Sequence, residues 1–203
     1  MHELATTFVL GYHGCDRSVA ESLIAGDEFR HEKNAWDWLG WGAYFWEANP
    51  VRGLEYAHEL RADPRKSRGL VQSPAVVGAV IDLGHCLDLI SSMGIRMIEA
   101  GHESFVALCE AEGRAIPANK GGPDLLLRNL DCAVINHVHD IREDQGLPAF
   151  DTVRGVFLEG APIYRDAGFR RKTHIQICVR NPLCIKGVFR VPPRDLVDFS
   201  PPP

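Results

Sequence analysis

Two short segments near the N-terminus constrain the fold of this chain more than any other part of the sequence. The first, residues 10–14 (LGYHG), places a His-Gly pair at the end of a strand that the pattern predicts over residues 6–12. The second, residues 39–47 (LGWGAYFWE), leads from a glycine-rich turn into an aromatic strand predicted over residues 43–46. Glycine lets a ligand approach the backbone closely, and an aromatic ring offers a flat contact surface. Together the segments predict a ligand pocket between two strands.

The residue types in these segments favour a dinucleotide ligand. The imidazole of His13 can hydrogen-bond a ribose hydroxyl, and the ring of Tyr44 can stack on a nicotinamide ring. The chain contains no G-x-G-x-x-G sequence, which excludes the dinucleotide site of the Rossmann fold. The predicted ligand is therefore NAD, bound in a pocket of a different kind.

The two segments resemble the ADP-ribosyltransferases of the diphtheria-toxin and poly(ADP-ribose) polymerase type. That family carries a His-Gly pair on one strand and a G-x-Y-F sequence on the next, followed by a helix. Here the pair is His13 and Gly14, the G-x-Y-F sequence is residues 42–45, and a helix-like run covers residues 50–60.

The resemblance is clear over roughly residues 8–60 and looser over about residues 153–190. It implies an α+β fold in which two small antiparallel β-sheets are split apart and flanked by helices. We therefore predict one catalytic domain over residues 1–203. Residues 85–150 have no counterpart in the family and are predicted to be a mostly helical insertion.

The resemblance also implies roles for individual residues. The histidine that matches His13 bonds the 2′-hydroxyl of the nicotinamide ribose, and the backbone of the glycine that matches Gly14 binds the carboxamide. The tyrosine that matches Tyr44 stacks on the nicotinamide. A second tyrosine closes the other face of the ring in the polymerase relatives, and Tyr56 lies within about one residue of that position.

The third family position departs from the pattern. The best-known members place a glutamate at the start of a late strand, where a carboxylate stabilises the positive charge that develops as nicotinamide leaves. The matching segment here, residues 172–179 (KTHIQICV), contains no acid, and His174 or Gln176 falls nearest. Glu159 and Asp151 are the acidic alternatives. We predict Glu159 as the catalytic carboxylate and Gln176 as a ribose-orienting residue.

For several other residues, a purely structural role is an alternative to a role in ligand binding. Arg52 and His174 are predicted to contact the dinucleotide, although Arg52 fits a solvated helix face equally well. The tryptophans fit either core packing or a wall for adenine or an acceptor base: Trp36, Trp38, Trp41 and Trp46. The spacing of the histidines and cysteines matches no zinc pattern, so no metal is predicted.

Composition limits the possible partners. The net charge of −5 argues against a broad basic surface for nucleic acid, although basic residues cluster between positions 165 and 172. No apolar run approaches the length that crosses a bilayer, and the N-terminal residues do not match a signal peptide. The six cysteines are scattered singly, which favours buried free thiols in a cytoplasmic protein.

The pattern of apolar residues predicts further elements. Helices are expected over residues 17–25, from Asn49 and Pro50 onward, and over most of residues 88–112. The second of these helices is expected to bury Val51, Leu54 and Ala57, or else Tyr56 and Leu60. Strands are expected over residues 75–83, 152–158, 173–179 and 184–189. Residues 115–124 and 142–148 are predicted loops, and residues 125–139 mix helix and strand signals.

We therefore expect an NAD-dependent mono-ADP-ribosyltransferase that modifies a protein or a nucleic acid. The analogy with small stand-alone family members suggests a toxin of a toxin–antitoxin or phage-defence system, with an antitoxin protein as a further partner. Two alternatives stay open. One is an NAD glycohydrolase, in which water is the acceptor. The other is a catalytically degenerate module that binds NAD or ADP-ribose.

Overall fold

The computed structural model describes residues 8–31, 33–64 and 69–197, and the expected α+β class is confirmed over these residues. The strands are β1 (Phe8–Asp16), β2 (Ala43–Glu47), β3 (Pro74–Asp82), β4 (Cys86–Asp88), β5 (Thr152–Phe157), β6 (His174–Val179) and β7 (Ile185–Arg190). The described helices are α1 (Arg17–Ile24), α2 (Pro50–Ala62), α3 (Ser92–Ala111) and α4 (Asn129–Asp144). Short 3₁₀ helices cover Pro182–Cys184 and Pro193–Leu196.

All seven described strands belong to one mixed sheet, in the order β4-β5-β6-β2-β1-β3-β7. Only β4 and β5 are parallel; every other neighbouring pair is antiparallel. The predicted division into two separate sheets is therefore not confirmed. The central junction is narrow, however, because β1 and β2 pair only at Gly11–Glu47 and Tyr12–Trp46, whereas β1 pairs with β3 from Phe8 to Asp16.

The two faces of the sheet carry different helices. Register pairs point to the same face, so Tyr12, Tyr44 and Trp46 share one face, whereas His13 and Phe45 share the other. Helix α1 and Phe29 cover the second face, which we call the α1 face. Helix α2 lies against β1 on the first face, and α3 and α4 extend the same cover over β2, β5 and β6. We call this the α2 face.

The N-terminal elements follow local sequence rules. Asp16 accepts a hydrogen bond from the backbone N–H of Ser18 and so caps α1. Asn49 caps α2 in the same way through Arg52 N–H, and Pro50 occupies the first turn. Both helices therefore begin where the sequence predicted, shortly after the strands that carry the two motifs.

Of the residues predicted for the buried face of α2, Ala57 is confirmed as buried, whereas Val51, Leu54 and Leu60 are half-buried and Tyr56 is exposed. The helix buries Arg52, Gly53 and Ala57 instead of an aliphatic stripe. Small residues let the helix approach β1 closely, and the guanidinium of Arg52 enters a polar cluster that is described below.

Residues 85–150 contain one short strand and a helical pair. The segment that gave mixed signals is helical from Asn129, and the predicted loop over residues 142–148 was wrong at its start because α4 continues to Asp144. The pair packs on the α2 face of the sheet, where Ile135 and Val138 of α4 contact the core around Leu39 and Val153. This segment therefore supplies core contacts to the sheet.

Among the described helices, none combines the length and the apolar composition that a membrane span requires. All six cysteines are free thiols, and five of them are buried.

A buried histidine in α4 predicts sensitivity to acid. His139 is 6% exposed, and burial, with Arg180 and Arg142 nearby, lowers its pKa from 6.5 to about 3. The pKa of His139 is lower in the folded protein than in the unfolded chain, so the unfolded chain takes up the proton first. The free energy of unfolding is therefore unaffected by His139 above pH 6.5 and decreases as the pH falls towards 3. We expect His139 to account for a loss of about 3 kcal/mol between pH 7 and pH 4. Urea unfolding at both pH values should show a smaller loss for His139→Gln; equal losses would contradict this account.

Candidate active site

A buried polar cluster lies on the α2 face where β2 and β6 meet α2. We call it the Arg52 cluster, and it consists of Trp46, Arg52, Tyr56, Glu59, Glu159, Lys172 and His174. Three of the residues predicted to bind the dinucleotide and the predicted catalytic carboxylate are therefore brought together: Arg52, Tyr56, His174 and Glu159.

Element geometry explains why these residues meet. Arg52, Tyr56 and Glu59 are spaced by four and seven residues on α2, so they lie along one helix face. Trp46 on β2 is the register partner of Gln176 on β6, and His174 lies two residues earlier on the same face. The loop between β5 and β6 then brings Glu159 and Lys172 to the cluster.

Two cations and two carboxylates hold the centre. Arg52 is 5% exposed; its Nη2 donates to Glu159 Oε2 at 3.1 Å, and its Nη1 lies 3.2 Å from Glu59 Oε1. Lys172 Nζ donates to Glu59 Oε1 at 2.8 Å and lies 3.6 Å from Glu159 Oε1. Each buried charge therefore faces an opposite charge, which is the condition for burying it at tolerable cost.

The surroundings tune the titration of the cluster. Burial alone would raise the pKa of Glu59, but Arg52 and Lys172 hold that pKa below its usual value. Burial lowers the pKa of His174 below 6.5; the Lys172 backbone hydrogen bond opposes this effect and the charge of Arg52 adds to it. Glu59 is therefore ionised and His174 neutral at neutral pH.

Aromatic rings form the walls of the cluster. The rings of Trp46 and Tyr56 lie 4.9 Å apart, and the guanidinium carbon of Arg52 lies 5.8 Å from the Trp46 ring. Phe157 packs against His174 from the other side at 5.6 Å between ring centroids. Tyr56 is 36% exposed, whereas Trp46 and Phe157 are buried, so Tyr56 is the most exposed residue of these three.

Gln176 borders the cluster but is engaged elsewhere. Its Oε1 accepts a hydrogen bond from Trp38 Nε1 at 2.5 Å, and Trp38 in turn packs on Phe157. Of the four tryptophans, Trp46 is buried and Trp38 half-buried, whereas Trp36 and Trp41 are exposed. Trp38 therefore packs beside the Arg52 cluster, whereas Trp46 is one of its members.

His13 lies on the α1 face, opposite the Arg52 cluster. Its Nδ1 donates to the backbone carbonyl of Tyr44 at 2.8 Å, since a carbonyl can only accept. The imidazole meets Phe29 edge-on at 5.4 Å and is tilted against Phe45 at 5.8 Å. The histidine therefore spans the place where β1 and β2 diverge.

The Tyr44 side chain points to the α2 face. His13 therefore bonds the backbone carbonyl of Tyr44 and does not contact the Tyr44 ring. The hydroxyl donates to Gly40 O at 2.8 Å and accepts from Leu39 N–H at 2.9 Å. Burial raises the pKa of Tyr44 well above its usual value of 10. In this arrangement the tyrosine fixes the turn that precedes β2.

Gly14 lies directly against α2. A methyl group at this position would lie 2.0 Å from the backbone oxygen of Gly53. Glycine is therefore required here because the strand and the helix backbone approach each other closely.

The basic cluster between residues 165 and 172 is largely paired. Arg170 lies 3.5 Å from Asp124, Arg165 lies 3.5 Å from its neighbour Asp166, and Lys172 belongs to the Arg52 cluster. These ion pairs reduce the positive charge that the segment offers to a partner, and the acceptor class stays open.

Sequence reasoning missed Glu59 and the central place of Trp46. The spacing of Arg52, Tyr56 and Glu59 places the three side chains on one helix face, but the same spacing is typical of a solvated face, so it did not single out Glu59. Nothing in the sequence showed that Glu159 would meet Arg52, since the two residues are 107 positions apart.

The described residues include no group of three or more His, Cys, Asp or Glu side chains arranged to hold a metal ion.

Comparisons of the chain with protein-family models, curated proteins and solved structures give no match. Functional inference therefore depends on the chemistry of the Arg52 cluster and on the motifs beside it.

Proposed function

We propose that this chain is an NAD-dependent mono-ADP-ribosyltransferase that modifies a macromolecular acceptor. The observation that carries the proposal is the buried carboxylate of Glu159, held by Arg52 and Lys172 between aromatic walls. Loss of nicotinamide from NAD leaves positive charge on the ribose, and a preorganised carboxylate stabilises that charge. Glu159 would thus take the role of the glutamate that the family places on the late strand.

The two cations of the cluster suit the rest of the ligand. Arg52 and Lys172 are partners for the diphosphate of NAD, and Tyr56 offers a partly exposed ring for stacking. The diphosphate would share these cations with Glu59 and Glu159, which keep the positions that their ion pairs give them. His13 lies on the opposite face of the sheet, Gly14 contacts the backbone of α2, and Tyr44 OH is engaged in the turn before β2, so these three residues stand outside this arrangement. Gln176 borders the cluster from β6.

We infer that the two sheets implied by the family resemblance correspond to the two halves of this sheet. One half is β4-β5-β6-β2 and the other is β1-β3-β7, joined through the two residue pairs of the β1–β2 junction. Trp46, whose register partner at this junction is Tyr12, belongs to the Arg52 cluster, so the proposed ligand site lies on the α2 face beside the place where the halves join.

The test is nicotinamide release from NAD labelled in the adenine moiety, in the presence of cell lysate. We expect Glu159→Gln to lower the release rate on the order of 10²-fold, because it removes the negative charge and keeps the shape of the side chain. Glu110→Gln, on the exposed face of α3, is the matched control and should keep the wild-type rate.

The distribution of the label separates the alternatives. Label in protein or nucleic acid supports the transferase and identifies the acceptor class, with a toxin or phage-defence role as the further proposal. Label only in free ADP-ribose identifies an NAD glycohydrolase. Binding of NAD without nicotinamide release overturns the enzyme proposal in favour of a binding module.

A further inference from the structure

Four buried polar atoms of the Arg52 cluster have no hydrogen-bond partner among the described residues: Trp46 Nε1, Arg52 Nε, Arg52 Nη1 and His174 Nε2. Arg52 Nη1 has an ion-pair contact with Glu59 Oε1 at 3.2 Å, which leaves the other three atoms to be explained. The three side chains are 3%, 5% and 6% exposed. The ring centroids of Trp46 and His174 lie 6.1 Å apart, and the guanidinium carbon of Arg52 lies 5.8 Å from the Trp46 ring. An unpaired buried polar group costs about 1–3 kcal/mol, so three together at one place point to a missing ligand group.

The hydrogen-bonding character of these atoms defines that group. His174 Nδ1 donates to the Lys172 carbonyl at 2.6 Å, which fixes the proton on Nδ1 and leaves a lone pair on Nε2. The indole of Trp46 and the Nε–H of Arg52 are donors only. A hydroxyl group or a water molecule complements this set, because its oxygen accepts from the two donors while its proton is donated to Nε2. A carboxylate has no proton for Nε2, and an ammonium group has no lone pair for the donors.

This inference rests on the proposed function. We propose that His174 is the general base of the reaction and that the acceptor nucleophile is a hydroxyl, from water or from an alcohol group of the macromolecule. The hydroxyl oxygen forms a bond to C1 of the nicotinamide ribose as the bond from C1 to the nicotinamide nitrogen breaks. Nicotinamide leaves with that electron pair, and the hydroxyl proton passes to Nε2 of His174. A hydroxyl acceptor needs such a base, whereas a carboxylate acceptor, already ionised, does not.

The charges around His174 keep it available as a base. Helix α2 contributes the charges of Arg52 and Glu59, and the loop between β5 and β6 contributes those of Glu159 and Lys172. Arg128, at the start of α4, stacks on Phe157, which lies between it and His174. Burial is the largest effect and lowers the pKa of His174 below 6.5, so the imidazole is unprotonated at neutral pH. Protonation at lower pH would remove the lone pair.

The experiment compares wild type with His174→Gln, using NAD with water or methanol as the hydroxyl nucleophile and with azide as an anionic one. Azide attacks C1 without losing a proton, so it bypasses a general base. We expect His174→Gln to slow the hydroxyl reactions by about 10²-fold or more and to leave the azide reaction within about twofold of wild type. The wild-type rate should also fall as the pH drops below 6.5, and the variant should lack that acidic limb. His139→Gln removes another buried histidine with an unpartnered Nε2, and as the control it should keep both rates.

Each outcome decides the inference. A variant that keeps the wild-type rate and pH profile with water or methanol contradicts the role of His174 and leaves the proposed function intact. An equal loss with azide, especially with a raised KM, shows a binding or structural role instead. A wild-type protein that releases no nicotinamide with any nucleophile overturns the proposed function and this inference together.

Discussion

Replacing Arg52 with methionine is expected to destabilise the protein by about 3–5 kcal/mol at pH 7. The guanidinium is the shared partner of Glu59 and Glu159, and Glu159 is itself buried. Methionine fills much of the same volume but leaves Glu159 with only Lys172, at 3.6 Å. The cost of an unpaired buried charge therefore dominates over the change in packing. Urea unfolding followed by far-UV circular dichroism measures the difference.

A second variant tests whether charge pairing is the cause. In Arg52→Met combined with Glu159→Gln, the uncompensated carboxylate is gone, so we expect at least half of the lost stability to return. Arg61→Met removes an exposed arginine from the last turn of the same helix and should change stability by no more than about 0.5 kcal/mol. A double variant no more stable than Arg52→Met would show that Arg52 acts through its packing on Trp46.

Local sequence rules predicted the elements that begin with a strong start signal. Asp16 and the Asn49–Pro50 pair each mark a helix start through a side-chain cap, and a cap acts over a few residues that are adjacent in the sequence. The apolar run of β3 was equally clear, because a short continuous apolar run is typical of a strand that is largely covered by the protein. These signals are local, so one sequence is enough to read them.

Features that depend on tertiary partners were harder to predict. Residues 125–139 mixed helix and strand signals because α4 buries polar groups, among them Asn136, His139 and Arg142, which break the apolar stripe. Arg142 is accommodated because it donates to Pro148 O and lies over the Phe150 ring at 4.3 Å. Partners of this kind come from the loop after the helix and cannot be read from its periodicity.

In the candidate site, too, individual residues could be predicted from the sequence, whereas their arrangement in space could not. The family resemblance pointed to Tyr56, Glu159 and His174 one by one, and Arg52 was added as a candidate contact of the dinucleotide. It did not show that they would form one cluster, because β6, which carries His174, pairs with β2 across more than 120 residues of chain. It also did not show that His13 and Tyr44 point to opposite faces, since that depends on the register of the short β1–β2 junction.

Gly14→Ala is expected to destabilise the protein by about 3 kcal/mol or more. The added methyl group would lie 2.0 Å from Gly53 O, and a backbone oxygen cannot move aside without displacing α2. Gly187→Ala is the matched control: it lies in strand β7, no atom lies within 4 Å of the added carbon, and the substitution reduces the entropy of the unfolded chain. Its stability should stay within about 0.5 kcal/mol of wild type.

The Gly14 result also bears on the candidate site. Gly53, the residue that Gly14 contacts, follows Arg52 directly, so a displaced α2 would carry the guanidinium away from Glu159. We therefore expect the Gly14→Ala variant to lose nicotinamide release even at temperatures at which the variant is fully folded. Wild-type stability in Gly14→Ala would mean that β1 and α2 do not meet as described. The placement of Arg52 over Trp46, and with it the Arg52 cluster as the catalytic centre, would then lose its structural basis.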